Sequence, residues 1–237
     1  LEPPHGRLRS ISRITSTDYI HWENRQDLQP NDPGEHLYTS PTHPYFRAPH
    51  IYISTPTRFV EDRGSSTEIL FMAKRAAASS YTRLFKEAYI RPGLDPDRWG
   101  NRSNYAALNV VPTGPEEMSI YHASSGHRYV LRTDGFVSVN APFDGGEMTT
   151  PPFIFQGNEL ILNYSTAATG SIRVEIQQED GTPVTGFQIE DCPDIVGDSI
   201  AQAVSWEKGG SVGSLSGQLV RLRFVMRDSD LFSLRFK

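Results

Sequence analysis

The chain has 237 residues, 37% of them hydrophobic and 22% charged, with a formal net charge of −5. This fits a globular chain and excludes an electrostatic case for binding nucleic acid or an anionic membrane; no apolar run reaches the length of a membrane span. Cys192 is the only cysteine, which excludes an intramolecular disulfide and a thiolate zinc site and leaves the compartment open.

The opening LEPPHGRLRS carries no leader pattern, which suits a processed precursor and a piece of a longer chain equally. RSISRIT is the first candidate strand. His21 to His50 then shows little periodicity and many prolines; loops of that length are usually functional or pinned by contacts. HIYISTP and EILFMAK follow as strands. Residues 81–89 read two ways. Tyr81, Leu84, Phe85, Ala88 and Tyr89 make a helical stripe, whereas Tyr81, Arg83, Phe85, Glu87 and Tyr89 share one side of a strand. The segment RPGLDPDRWGNRSNY is rich in turns, at Pro92-Gly93 and Asp95-Pro96. NVVPT, MSIYHA and HRYVLRT are further strands.

From about residue 150 the alternation is clean. ELILNYS aligns Leu160, Leu162 and Tyr164. SIRVEIQQ sets Ile172, Val174 and Ile176 against Arg173, Glu175 and Gln177, and Glu179-Asp180-Gly181 reads as a hairpin turn. LVRLRFVM sets Val220, Leu222, Phe224 and Met226 against Arg221, Arg223 and Arg227, and LFSLRF aligns Phe232, Leu234 and Phe236. Half-buried antiparallel strands with one solvated face predict a two-sheet sandwich, with Ile172, Val174, Leu222, Phe224 and Phe236 in one core.

Ser16-Thr17-Asp18-Tyr19-Ile20-His21-Trp22 has the spacing Ser-x-Asp-x-x-x-Trp. It resembles the blade turn of five-bladed propeller glycosidases, the fructan, arabinan and xylan hydrolases, in which the Asp turns a hairpin and the Trp packs between blades. Three longer stretches, GEHLYTSPTHPYFRAPHIYISTPTRF, FKEAYIRPGLDPDRWGNRSNY and LRTDGFVSVNAPFDGGEMTTPPF, are similar to a group of exported bacterial proteins related to those enzymes. The resemblance implies an all-β fold: residues 1–145 as the last two to three blades of a β-propeller, residues 146–237 as an antiparallel β-sandwich, and 81–89 as a strand. A weak repeat agrees with it, HIYISTPTRF–EILFMAKR–YTRLFKEAYI followed by YAALNVVPT–EEMSIYHAS–HRYVLRTDG. It also implies a secreted or periplasmic location, an oligo- or polysaccharide partner, and missing amino-terminal blades or a partner chain that completes the propeller. No segment like WMNDPNG or RDP occurs here, so no catalytic residue is carried over.

The candidate site residues are Tyr45, Arg47, His50, Arg83 and Glu87. Glu87 is the candidate acid, beside Arg83 and Arg91; a buried ion pair between strands accounts for these residues as well. His43, Tyr45, Arg47, His50 and Tyr52 combine aromatic faces with hydroxyl-binding donors, as a sugar requires. A metal on His43 and His50 lacks an acidic partner at ligand spacing. Trp99, Asn101, Arg102 and Asn104 suggest a sugar platform or packing between blades. The sequence requires no cofactor; Asp191, Asp194 and Asp198 offer carboxylates for a structural calcium but match no defined loop. Two functions follow: the carboxy-terminal part of a glycoside hydrolase, or a non-catalytic carbohydrate-binding or structural module.

Overall fold

The computed structural model describes residues 7–93 and 103–237. The described residues are all-β: strands and three short 3-10 turns, with no helix long and apolar enough to cross a membrane. The chain divides after Val130 into two compact units.

The first unit opens with a hairpin, β1 (Ser12–Thr15) and β2 (Glu23–Asp27). Its turn is built on Asp18, whose carboxylate accepts from the backbone N–H groups of Ile20 (2.9 Å) and His21 (2.8 Å) and meets the His21 ring at 2.7 Å. The His21 ring and these N–H groups hold the Asp18 carboxyl well below the usual carboxylate range. Trp22, expected to pack between blades, is 53% exposed and meets Tyr19 edge-on.

Next come β3 (His36–Leu37), β4 (His43–Tyr45), β5 (Ala48–Ser54), β6 (Thr57–Val60), β7 (Ser66–Ile69) and β8 (Met72–Arg75). They form two ladders, β3-β6-β7 and β4-β5-β8. Each ladder gains an isolated bridge on its far side, Ile69 to Ile90 and Ala73 to Thr82. In chain order these are four successive stretches, 36–45, 48–60, 66–75 and 82–90, each bonded to the next: an up-and-down antiparallel meander. EILFMAK, expected as one strand, is two, because the chain changes ladder at Leu70 and Phe71 opposite the break at Thr55-Pro56. Leu70 N–H still donates to the Pro56 carbonyl across that break, at 2.9 Å. Residues 81–89 are neither helix nor strand. Between the two bridges Arg83 leaves the sheet to pair with Glu35, while Phe85 and Tyr89 both stack on Phe71. Side-chain anchors thus replace the backbone ladder. A three-stranded meander follows, β9 (Val111–Pro112), β10 (Glu117–Tyr121) and β11 (Arg128–Arg132), the last running across the boundary between the units.

The second unit holds β12 (Val139–Ala141), β13 (Gly146–Thr149), β14 (Phe153–Ile154), β15 (Leu160–Gln177), β16 (Asp198–Ala203) and β17 (Leu219–Phe236). β12 pairs with β17, and Asn163 donates to the Thr133 carbonyl, both within the unit that runs from Leu131. β15 and β17 pair from Leu160–Phe236 to Gln177–Arg221, with one interruption between Thr166 and Ser171. Val204 N–H donates to the Leu160 carbonyl and Trp206 Nε1–H to the Val174 carbonyl, so residues only two apart reach both ends of β15. The ladder therefore folds back on itself, and both arms bury the same core. Leu160, Leu162 and Tyr164 from one arm join Ile172, Val174, Ile176, Leu222 and Phe224 from the other, with Phe236 packed against them. The Glu179–Gly181 turn is present, with Gly181 at φ 90°.

Two register shifts make this fold possible. Between Thr166 and Ser171, β15 carries extra residues opposite Asp228, which takes φ 42°. A second shift sets Phe232 out of register, so Phe232 turns to the Arg132 guanidinium (4.5 Å) while Leu234 and Phe236 face the core. Phe232, Leu234 and Phe236 thus do not lie in line as the alternation suggested, because each bulge reverses the parity of the strand. The face expected to be solvated is partly covered: Glu175 is 3% exposed and holds Ile189 N–H and Arg223. Cys192 is buried in this core, accepts from Val174 N–H, and its thiol is pushed up by burial.

At the first bulge a Cβ on Gly170 would stand 2.3 Å from the Asp228 carbonyl oxygen. Gly170→Ala is therefore expected to destabilise the second unit by about 2–3 kcal/mol through overpacking. Gly210→Ala, with no atom within 4 Å of its Cβ position, is expected to change stability by less than about 0.5 kcal/mol. Urea unfolding of both variants checks the difference.

Candidate functional site

The β6–β7 hairpin sets Arg58 directly opposite Glu68. Arg58 donates from Nε (3.0 Å) and Nη2 (2.5 Å) to one Glu68 oxygen. A 3-10 turn over Glu61–Arg63, closed by Gly64 at φ 71°, brings Arg63 back over the hairpin, and its Nη1 donates to the other Glu68 oxygen at 2.8 Å. The remaining Arg58 nitrogen reaches the Lys86 carbonyl (2.8 Å) and Glu35 (3.4 Å). Glu35 in turn accepts from Arg83 at 2.6 and 3.1 Å and from Asp32 N–H at 3.0 Å. The result is a chain of alternating charges, Arg63–Glu68–Arg58–Glu35–Arg83. The side chains of Glu35, Glu68 and Arg83 are each 6% exposed. Burial on that scale is tolerable only because every carboxylate oxygen has a cationic donor.

One end of this chain opens into a cleft of about 520 Å³. Arg58, Arg63, Ser66 and Glu68 form one wall, and Glu87 and Arg91 stand on the other. The second wall is fixed by aromatic stacking. The Phe85 and Tyr89 rings lie 6.4 and 5.1 Å from Phe71, and burial pushes the Tyr89 phenol up. Ile90 N–H and the Ile90 carbonyl bond to Ile69, tying the segment to β7. The cleft is thus lined by three guanidinium groups, two carboxylates and a hydroxyl, with those of Arg58 and Glu68 bonded to each other and to their neighbours. Planar forked donors beside fixed acceptors suit vicinal hydroxyls or a carboxylate on a ligand.

Of the five candidate residues, Glu87 alone is a lining residue of this cleft. Arg83 touches it only through Glu35 and Arg58. Tyr45 is 6% exposed in the core, with its hydroxyl donating to Met118 Sδ at 3.5 Å. Arg47 is exposed in the β4–β5 turn, and His50 is exposed on β5 with its carbonyl accepting from Ala76 N–H. The five therefore do not converge on this cleft: residues 81–89 are not a strand, so Arg83 and Glu87 do not share a strand face. Glu35, Arg58, Arg63 and Glu68 were missed. The available signal was an acid opening the apolar run EILFMAK and an arginine at the matching place in TRFV, across a five-residue turn.

Other candidates have structural occupations. His43 Nδ1–H donates to the Pro41 carbonyl and Nε2 accepts from Val110 N–H; with burial lowering its pKa, it is a neutral, fully bonded imidazole. Asn104 is fully buried and donates to the Ile90 carbonyl. Trp99, Asn101 and Arg102 lie outside the described residues. Asp191, Asp194 and Asp198 pair separately with Lys208, Arg173 and Arg132. They do not converge on one ion, and no cluster of three or more His, Cys, Asp or Glu among the described residues is arranged for a metal.

No family model and no curated protein matches this chain. Among solved structures, it is similar to a glycoside hydrolase family 43 arabinoxylan arabinofuranohydrolase from Bacillus subtilis, solved in complex with cellotetraose, with 11% sequence identity and a TM-score of 0.29. That match covers 100% of this chain and 49% of the hydrolase, so the chain spans about half the length of that protein.

The charge chain generates a stability contrast. Glu68→Gln leaves Arg58 with a weakened partner inside the sheet and is expected to cost about 3 kcal/mol. Asp32→Asn weakens the rim pair with Lys86 and a looser 3.9 Å contact with Arg83, which keeps both Glu35 oxygens, and is expected to cost less than about 1 kcal/mol. Denaturant midpoints of the two variants give the comparison, and added salt is expected to shrink the second effect more than the first.

Proposed function

We propose that this chain is the carboxy-terminal part of a secreted or periplasmic, glycoside-hydrolase-like protein that acts on an extracellular polysaccharide. In this reading the meanders of the first unit are the last blades of a β-propeller, and the folded-back ladder of the second unit is the closing β-sandwich. The up-and-down order of residues 36–90 supports the blade assignment, as does the Asp18 carboxylate turning a hairpin in the Ser-x-Asp-x-x-x-Trp segment. The exposed Trp22 then waits for a neighbouring blade outside this chain.

Within the protein, saccharide binds in the cleft of Arg58, Arg63, Glu68, Glu87 and Arg91. The observation that carries this reading is the coexistence of three guanidinium groups and two carboxylates around one open cleft. Such an array reads hydroxyl positions by charge-assisted hydrogen bonds. One observation favours a purely binding role for this chain taken alone. Hydrolysis of a glycosidic bond generally uses two carboxylates with separate duties, and both Glu68 oxygens are already held by arginines. Glu87 remains as the cleft's adaptable acid, able to accept from a sugar hydroxyl.

Titration calorimetry with xylo-, arabino- and fructo-oligosaccharides tests the reading. Saturable binding that Arg63→Gln and Glu87→Gln each weaken about tenfold is expected, the worth of one charged hydrogen bond. Failure of every saccharide to bind, or binding untouched by both substitutions, would remove the cleft from consideration. The chain alone is expected to show negligible turnover of aryl-glycosides and fructans. Turnover abolished by Glu87→Gln would instead make Glu87 a catalytic acid.

A further inference from the structure

A second charged cluster in the first unit has the opposite character from the cleft: it has cations and, among the described residues, no carboxylate. Ile11 and Met72 pack in one small core with Leu28, Leu37 and Leu70, and Tyr81 closes it. Two residues further along each stretch stand Arg13 and Lys74, carried toward the same side by the period-two geometry of extended chain. Lys74 is 4% exposed. Its ammonium donates to the Ala78 carbonyl at 2.5 Å and lies 6.0 and 5.9 Å from the centres of the Tyr52 and Tyr81 rings. An ammonium carries three donors, and among the described residues no carboxylate pairs with it. Arg13 is half-buried and has no ion-pair partner among the described residues. Burial and then the Arg13 charge lower the Lys74 pKa, and the same Arg13 charge acts on the Tyr81 phenol. That phenol is itself bonded to Thr42 at 2.8 Å.

A buried ammonium under the influence of a second cation destabilises the fold unless a counter-charge arrives. Elsewhere in this unit buried cations meet glutamates: Arg58 has Glu35 and Glu68, and Arg83 has Glu35. We infer that Arg13 and Lys74, over the rings of Tyr52 and Tyr81, form an oxyanion-binding site that takes the carboxylate or sulfate group of a small ligand. Arg13 stands at the entrance and supplies the planar fork; Lys74 supplies the point charge at the floor, with two donors still to place. The site is separate from the saccharide cleft, none of whose lining residues it uses, and stands or falls independently of it.

Anion titration at constant ionic strength tests the inference, with sodium chloride exchanged for sodium sulfate or sodium glucuronate and glucose as the neutral control. Side-chain NMR of Lys74 and the thermal midpoint are the readouts. Saturable binding by the wild type is expected, weakened at least tenfold by Arg13→Gln and by Lys74→Met. Lys74→Met is also expected to raise the midpoint in the absence of either anion, since it removes an unpaired buried charge and keeps the apolar stem. Sulfate binding alone would assign the site to a free inorganic oxyanion. Glucuronate binding at least tenfold tighter than glucose would assign it to the carboxylate of an acidic sugar. Absence of saturable binding by either anion, or binding that neither substitution weakens, would overturn the proposal.

Discussion

A β-strand shows alternate side chains to opposite faces, so a strand that bends must either surrender its buried face or set residues out of register. Both units depend on how that conflict is resolved. In the second, β15 and β17 run eighteen residues each and still bury one continuous core, because bulges at residues 167–170 and at Phe232 return the apolar parity to the inside after each turn. In the first, the chain changes ladder at Thr55-Pro56 and Leu70-Phe71, and the segment after it is held by rings stacked on Phe71 instead of by a ladder. Gly170 is required by the first solution, since a side chain there would collide with the backbone of the partner strand.

The charge chain from Arg63 to Arg83 follows from the same geometry. Directly opposed positions in an antiparallel pair bring side chains close, and the register that sets Arg58 on Glu68 leaves the carboxylate 6% exposed and dependent on its arginines. Adding Glu35 and Arg83 extends the compensation inward, while Arg63 leaves it open outward. The cleft inherits the bonded Arg58–Glu68 pair on one wall, with the exposed Arg63 above it. The other wall carries Glu87, whose carboxylate takes the neighbouring Lys86 N–H.

Much of the second unit was legible in the sequence. Val220, Leu222, Phe224 and Met226 alternate without interruption and are all buried, and the Glu179–Gly181 turn announces itself by composition. Phe232 was misread because a bulge leaves no local mark: its neighbours keep alternating, and the shift is decided by the partner strand. The cleft was legible only in part. Glu87 drew notice through its arginine neighbours, yet Arg58, Glu68 and Glu35 are joined by register and long-range contact, which no single window contains. The His43 to Tyr52 cluster failed as a common site for a related reason. Composition suggested a sugar platform, while the fold uses His43 and Tyr45 to fill and bond the interior.

The buried thiol of the second unit gives that unit a clock. Cys192 is the one cysteine of the chain and sits in the core shared by both arms of the folded ladder, 2% exposed. A thiol reagent can reach it only when the packing around it opens, so its labelling rate counts openings of that core. At low reagent the rate reports how often the open form is populated; at high reagent it reports how fast the unit opens. The protein thereby carries, in a single sulfur atom, a report on the breathing of its second unit.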